Sequence, residues 1–140
     1  MSEITNVIEI ENASVYQRNH LVLSGVNVRL QEGEFVYLIG KTGSGKSSLL
    51  KVLYGDLPLE SGNASVVGYD LKKLKISKIP DLRRHLGIVF QDFQLLTDRS
   101  VEQNLTFVLR ATGWKNSQQI KDRIDFVLDS VGTVSYTHLR

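Results

Sequence analysis

Cysteine is absent from these 140 residues, proline occurs twice, and methionine and tryptophan occur once each. No disulfide can staple the fold, so an apolar core must hold it, and a 41% hydrophobic share is ordinary for a globular chain. The lack of cysteine fits a reducing compartment. Charge of one sign is lacking as well. Seventeen Lys and Arg against fifteen Asp and Glu leave +2, too little to draw nucleic acid or anionic lipid by bulk attraction. The opening MSEITNVIEIEN has no basic start followed by an apolar core, so it does not read as a secretory signal. No apolar run approaches the length of a bilayer crossing. The expectation is a cytoplasmic chain that reaches a membrane only through a partner.

The length suits one modest domain, and the chain holds no internal repeat. Residues 7–16 begin with Val7, Ile8 and Ile10 alternating against Glu9 and Glu11, which reads as a half-exposed strand. Residues 21–30 alternate likewise, and QEGE with Gly33 is a turn. Phe35 to Ile39 is apolar on both faces, the pattern of a buried strand in a parallel sheet. A helix starts near Gly45 and stops at Gly55, with Pro58 just beyond. SGNASVVGYD gives a turn and a short strand. Pro80 and Asp81 suit the first turn of a short helix, and Gly87 leads into IVF, a second buried strand. Ser100 with Gln103 forms a capping box before Val101, Leu105, Val108 and Leu109. Gly113 closes that helix. Asn116 caps the next, whose stripe is Ile120, Ile124, Val127, Leu128 and Val131. Strands alternating with helices, then two consecutive helices, describe an α/β chain with a helical insertion beginning near residue 95.

The stretch from Gly40 to Ser47 reads GKTGSGKS and matches G-x-x-x-x-G-K-[ST] in full. Each position has a physical reason. Phosphates need many donors at short range, and residues without a Cβ let the backbone curl until its N–H groups point inward. The helix that follows presents unpaired N–H groups and the positive end of its dipole to the anion. Lys46 can reach the terminal phosphates as a mobile charge, and Ser47 can place its hydroxyl on Mg²⁺. The candidate contacts are therefore Gly40, Lys41, Thr42, Gly43, Ser44, Gly45, Lys46, Ser47 and Ser48, and the ligand is a nucleoside triphosphate with Mg²⁺. Other clusters carry less. Lys72, Lys73, Lys75, Lys78, Arg83 and Arg84 read as a solvated basic face. The three histidines lack metal-ligand spacing. The D-x-x-G at Asp129 to Gly132 follows a helical stripe where a GTPase would need a strand.

YLIGKTGSGKSSLLKVLYG, LRRHLGIVFQDFQLLTDRSVEQNL and the N-terminal strands around Tyr16 together resemble the ATP-binding subunits of the ABC type over residues 7–133. Asp98-Arg99 after Gln91 is similar to the bacterial cell-division ATP-binding proteins of the FtsE type. Relatives that serve lipoprotein release or macrolide and peptide export share most of the remainder. The resemblance implies a P-loop NTPase fold: an antiparallel β-subdomain, a parallel-sheet core and the start of a helical subdomain. It implies that Tyr16 stacks on adenine, the alternative being a strand-end tyrosine with its hydroxyl in water. It implies that Gln91 touches Mg²⁺ or the attacking water and acts with Lys46 in catalysis, where the residue alone is a polar strand terminus. By the same resemblance Phe93, Leu95 and Leu96 would line a groove for an FtsX-like membrane subunit, which would meet residues 91–98, or else they belong to the core. Two copies of the whole protein would sandwich two ATP molecules. No nucleic-acid partner is implied.

The resemblance also implies groups that these residues do not contain: an L-S-G-G-Q loop, an apolar strand ending in Asp-Glu, and a later histidine. The reading is that residues 1–134 are the N-terminal part of an incomplete ABC domain. Residues 135–140, within the closing TVSYTHLR, are expected to be a non-native tail. The 140 residues alone are expected neither to fold robustly nor to turn over ATP. A nucleotide-governed regulatory module and a small phosphotransfer kinase are the rival readings, and the Gln91 segment speaks against the kinase.

Overall fold

Alternation of apolar and polar residues builds the first two strands, β1 (Asn6–Gln17) and β2 (His20–Gln31), into an antiparallel hairpin. Arg18 and Asn19 join them with φ of 47° and 65°, a left-handed pair whose twist matches the strands it connects. The computed structural model describes residues 6–92 and 94–132. It divides into two compact units, Met1–Ile88 and Val89–Arg140.

In the first unit, α1 (Lys46–Leu53) follows the glycine loop, with Tyr54 as its C-cap and Gly55 left-handed at φ 73°. β3 (Ser61–Val66) and β4 (Tyr69–Asp70) then complete a four-stranded sheet in the order β2-β1-β3-β4, antiparallel throughout. The expected single short strand is thus a second hairpin. Val67 and Gly68 make its turn with φ of 48° and 80°, and valine is not a residue that announces such a turn. A 3₁₀ turn (Ile76–Lys78) leads into α2 (Ile79–Arg83), with Pro80 in the first turn as expected. The core lies between one sheet face and the helices: Ile10, Ala13, Val15, Ala64 and Val66 meet Leu49 and Val52 of α1 and Leu82 of α2. Arg83 ties α2 to the end of α1, its Nε donating to the Tyr54 carbonyl at 2.9 Å.

The second unit is a helical pair. Ser100 and Gln103 form the expected capping box of α3 (Val101–Ala111), and Asn116 caps α4 (Ser117–Ser130) by accepting from Gln118 and Gln119. Ile120, Ile124 and Leu128 are buried against Leu105 and Leu109. Val131 and Val108, counted in those stripes from sequence, are exposed.

The parallel core is where the structure departs from expectation. Phe35 to Ile39 carries no regular secondary structure, and Phe35 and Ile39 are 80% and 88% exposed. Ile88 to Phe90 is likewise irregular, with Val89 exposed. An apolar strand of a parallel sheet is stable only with hydrogen-bonded neighbours and layers over both faces. Among the described residues no strand pairs with either segment. The tail at 135–140 lies outside the described residues.

Candidate functional site

The glycine loop is curled. Gly43 and Gly45 sit at φ 78° and 90°, in the left-handed region that side chains rarely adopt. Gly45 is also pressed against β2. A Cβ there would lie 2.7 Å from Val22 Cγ1 and 2.8 Å from Leu23 Cγ, closer than packed carbon atoms allow. Gly40 is constrained from within the loop, since a Cβ would stand 2.8 Å from Ser44 Oγ. The Ser44 N–H donates to the Lys41 carbonyl at 3.1 Å, which closes the turn.

Lys46 is the first residue of α1, and its side chain folds back over the loop. Its Nζ donates to the Gly40 carbonyl at 2.7 Å and to the Lys41 carbonyl at 2.8 Å. An ammonium has three N–H donors, so two of them fix the group above the loop. Residues 40–44 and Ser47 are exposed, and Ser48 is buried beneath. The helix end itself is bare. Gly45 is the N-cap of α1 and offers no side-chain acceptor, whereas α3 and α4 are capped by Ser100 and Asn116. First-turn amides without a side-chain acceptor, a positive dipole end and one ammonium make a surface suited to an anion. The hydroxyl of Ser47, exposed in that first turn, is the hard oxygen donor a magnesium ion accepts.

Tyr16 stands near the hairpin end of β1, paired in register with Leu21 and partly exposed, beside the fully buried Val15. Gln91 belongs to the second unit, where it is exposed and opens a turn. It does not end a strand, as sequence predicts, because residues 88–90 form none. Leu95 is exposed and Leu96 half-buried; Phe93 lies outside the described residues. Two carboxyls have lowered pKa values, and both lie outside the loop. Lys73 lowers Asp70, and Lys78, with help from Arg84, lowers Asp81 below the usual aspartate value, each mainly through a side-chain hydrogen bond.

Sequence reasoning missed the groups that support these segments. Val22 and Leu23 back the loop from more than twenty residues upstream, and no local pattern marks them. Asn104 is the second case. Its Oδ1 accepts from the Leu96 N–H at 2.8 Å, and its Nδ2 donates to the carbonyls of Leu96 and Ser100, each at 3.0 Å. One side chain thus fixes the loop that follows Gln91. The signal was a lone asparagine inside a helical stripe, where a polar residue needs a partner.

An antiparallel sheet packed on a helix that springs from a curled glycine loop defines a P-loop protein of the α/β class. The family model described as ABC transporter matches residues 23–140, and the chain belongs to that family. It is similar to the cell division ATP-binding protein FtsE of Streptococcus pneumoniae serotype 2 (strain D39), 38% identical over 128 residues, 91% of this chain and 55% of that protein. FtsE of Escherichia coli (strain K12) is 37% identical over 127 residues, 90% of this chain and 57% of that one. Among solved structures, cbiO1 of Clostridium perfringens, part of the ABC transporter complex cbiONQ, superposes with a TM-score of 0.80 at 27% identity. That match covers 94% of this chain and 53% of cbiO1. The ATP-binding cassette MJ0796, a dimer in a post-hydrolysis state with ADP and Pi, gives 0.73 at 25% identity, covering 87% of this chain and 56% of that one. The chain therefore spans about half the length of the relatives it matches. Among the described residues no helix is long and apolar enough to cross a membrane.

Proposed function

We propose that residues 40–48 hold the phosphates of MgATP, and that the chain is the N-terminal part of an ABC-type ATP-binding subunit of the FtsE kind. The observation that carries this reading is the pairing of a left-handed, uncapped helix start at Gly45 with an ammonium fixed over the same loop by two carbonyls. The helix start does not help the fold by itself. A glycine N-cap forgoes roughly a few tenths of a kcal/mol against a side-chain cap, and the left-handed backbone admits only glycine comfortably. Both become favourable when an anion accepts from the amides.

In this reading the loop amides and Lys46 bind and orient the β- and γ-phosphates, and Tyr16 stacks on the base. Ser47 would hold Mg²⁺, which supplies charge neutralisation at the phosphates. Lys46, already near the developing negative charge, needs little reorganisation to stabilise it. Gln91 would serve the metal or the attacking water, the role the family resemblance implies. Hydrolysis also requires groups outside these 140 residues, so the chain alone binds nucleotide without sustained turnover. In the whole protein, residues 91–98 would meet an integral membrane subunit. That contact would place the protein at the cytoplasmic face of the membrane, as a homodimer. The relatives named for cell division favour a division complex of the FtsX-like type. The likeness to cbiO1 keeps a transporter subunit as the second reading.

Titration with a fluorescent ATP analogue and Mg²⁺ tests the site. Lys46→Ala is expected to weaken binding about tenfold or more, the worth of a lost charge-assisted contact. Equal affinity in wild type and variant would count against it.

A further inference from the structure

Tyr16 faces away from the core only because β1 changes parity partway along. Ile10, Ala13 and Val15 are all buried, and the step of three between the first two breaks a strand's period of two. Both neighbours register the break. Against β2, Ile10 pairs with Val28 but Ala13 with Val26; against β3, Glu11 pairs with Asn63 but Ser14 with Ser61. One extra residue of β1 lies between, and it is Asn12, with φ 46°. A bulge of this kind moves every later side chain to the opposite face. Without it, Tyr16 would share the core face with Ile8 and Ile10, and Val15 would point outward.

The bulge is held by one side chain. Asn27 Oδ1 accepts from the Asn12 N–H at 2.9 Å, and Asn27 Nδ2 donates to the Gly25 carbonyl at 2.9 Å. Gly25 is itself left-handed at φ 63°, within a compensating irregularity of β2. Asn27 thus clasps the bulged residues of both strands. On the other flank, Gly62 of β3 leaves room for the bulge, since a methyl there would run into the backbone of Asn12 and Ala13.

We propose that Asn27 is a positioning residue for base recognition, fixing the β1 bulge that turns Tyr16 out of the core and presents its ring to a purine. The inference rests on the reading that Tyr16 stacks on the base, and its test separates the two. The 140-residue chain and its variants are titrated with MgATP and with magnesium tripolyphosphate, which has phosphates and no base. Asn27→Ala is expected to weaken MgATP about three- to tenfold, as Tyr16→Ala does, with tripolyphosphate affinity unchanged in both. Asn27→Asp keeps the acceptor for Asn12 and loses the donor to Gly25, so a smaller loss of the same base-specific kind is expected. If Tyr16→Ala weakens MgATP and Asn27→Ala does not, the positioning role is overturned and stacking stands. If Tyr16→Ala binds MgATP as wild type does, stacking fails and takes the inference with it. Equal losses for both ligands in both Asn27 variants would also overturn it, since that is the mark of general unfolding.

Discussion

A glycine, a lysine and a valine show how differently single residues express themselves. Gly45 and Lys46 were legible because their chemistry is local: the motif states that a phosphate is near, and the spacing states where the helix begins. The structure adds the reason Gly45 tolerates nothing larger, which is the pressure of Val22 and Leu23. Val67 was not legible. It occupies a left-handed turn position at φ 48°, although its branched Cβ disfavours that region by about 1–2 kcal/mol. Its side chain is exposed, so little packing is lost by replacing it. Val67→Asn, which suits this turn, is therefore expected to raise stability by about 1 kcal/mol in urea denaturation. A neutral or destabilising result would mean that the Val67 side chain contributes packing beyond its exposure.

Elements were readable wherever their signals were contiguous. The caps at Ser100 and Asn116, the stop at Gly55 and the two long strands follow directly from sequence. Supports that cross between elements were not. Asn27 reaches fifteen residues back to Asn12, and Asn104 reaches eight back to Leu96. Each partner lies outside the element that carries the asparagine, so a pattern read along one element does not identify it. Asn104 pairs with both backbone groups of half-buried Leu96; the carbonyl also accepts from the Arg99 N–H, so removing Asn104 strands the Leu96 N–H at a cost of about 1–3 kcal/mol. Asn104→Ala should accelerate hydrogen exchange of the Leu96 amide about tenfold or more, with α4 amides little changed. Unaltered exchange at Leu96 would show that the loop is held by other contacts.

For the molecule as a whole, the composition pointed to a chain with enough apolar residues for a core. The structure shows that part of that apolar content is not in one. Phe35, Tyr37 and Ile39 stand exposed in an unpaired segment, with the Phe35 and Tyr37 rings in edge contact at 4.9 Å. Sequence read this run as buried because its pattern is that of an interior strand, and pattern cannot supply the neighbours an interior strand needs. Contiguous exposed apolar residues drive association. The chain is expected to self-associate with rising concentration in sedimentation velocity, and Tyr37→Glu combined with Ile39→Lys should shift it toward monomer. A wild-type chain that stays monomeric across the concentration range would contradict this.

The central claim is that backbone amides at the start of α1, with Lys46, grip the phosphates of a nucleotide. Amide proton–nitrogen NMR spectra recorded during titration with MgATP address those groups directly. The account predicts large, saturable shifts at Gly43, Gly45, Lys46 and Ser47, reproduced by magnesium tripolyphosphate. Saturable binding that leaves those four amides unmoved while others shift would contradict it.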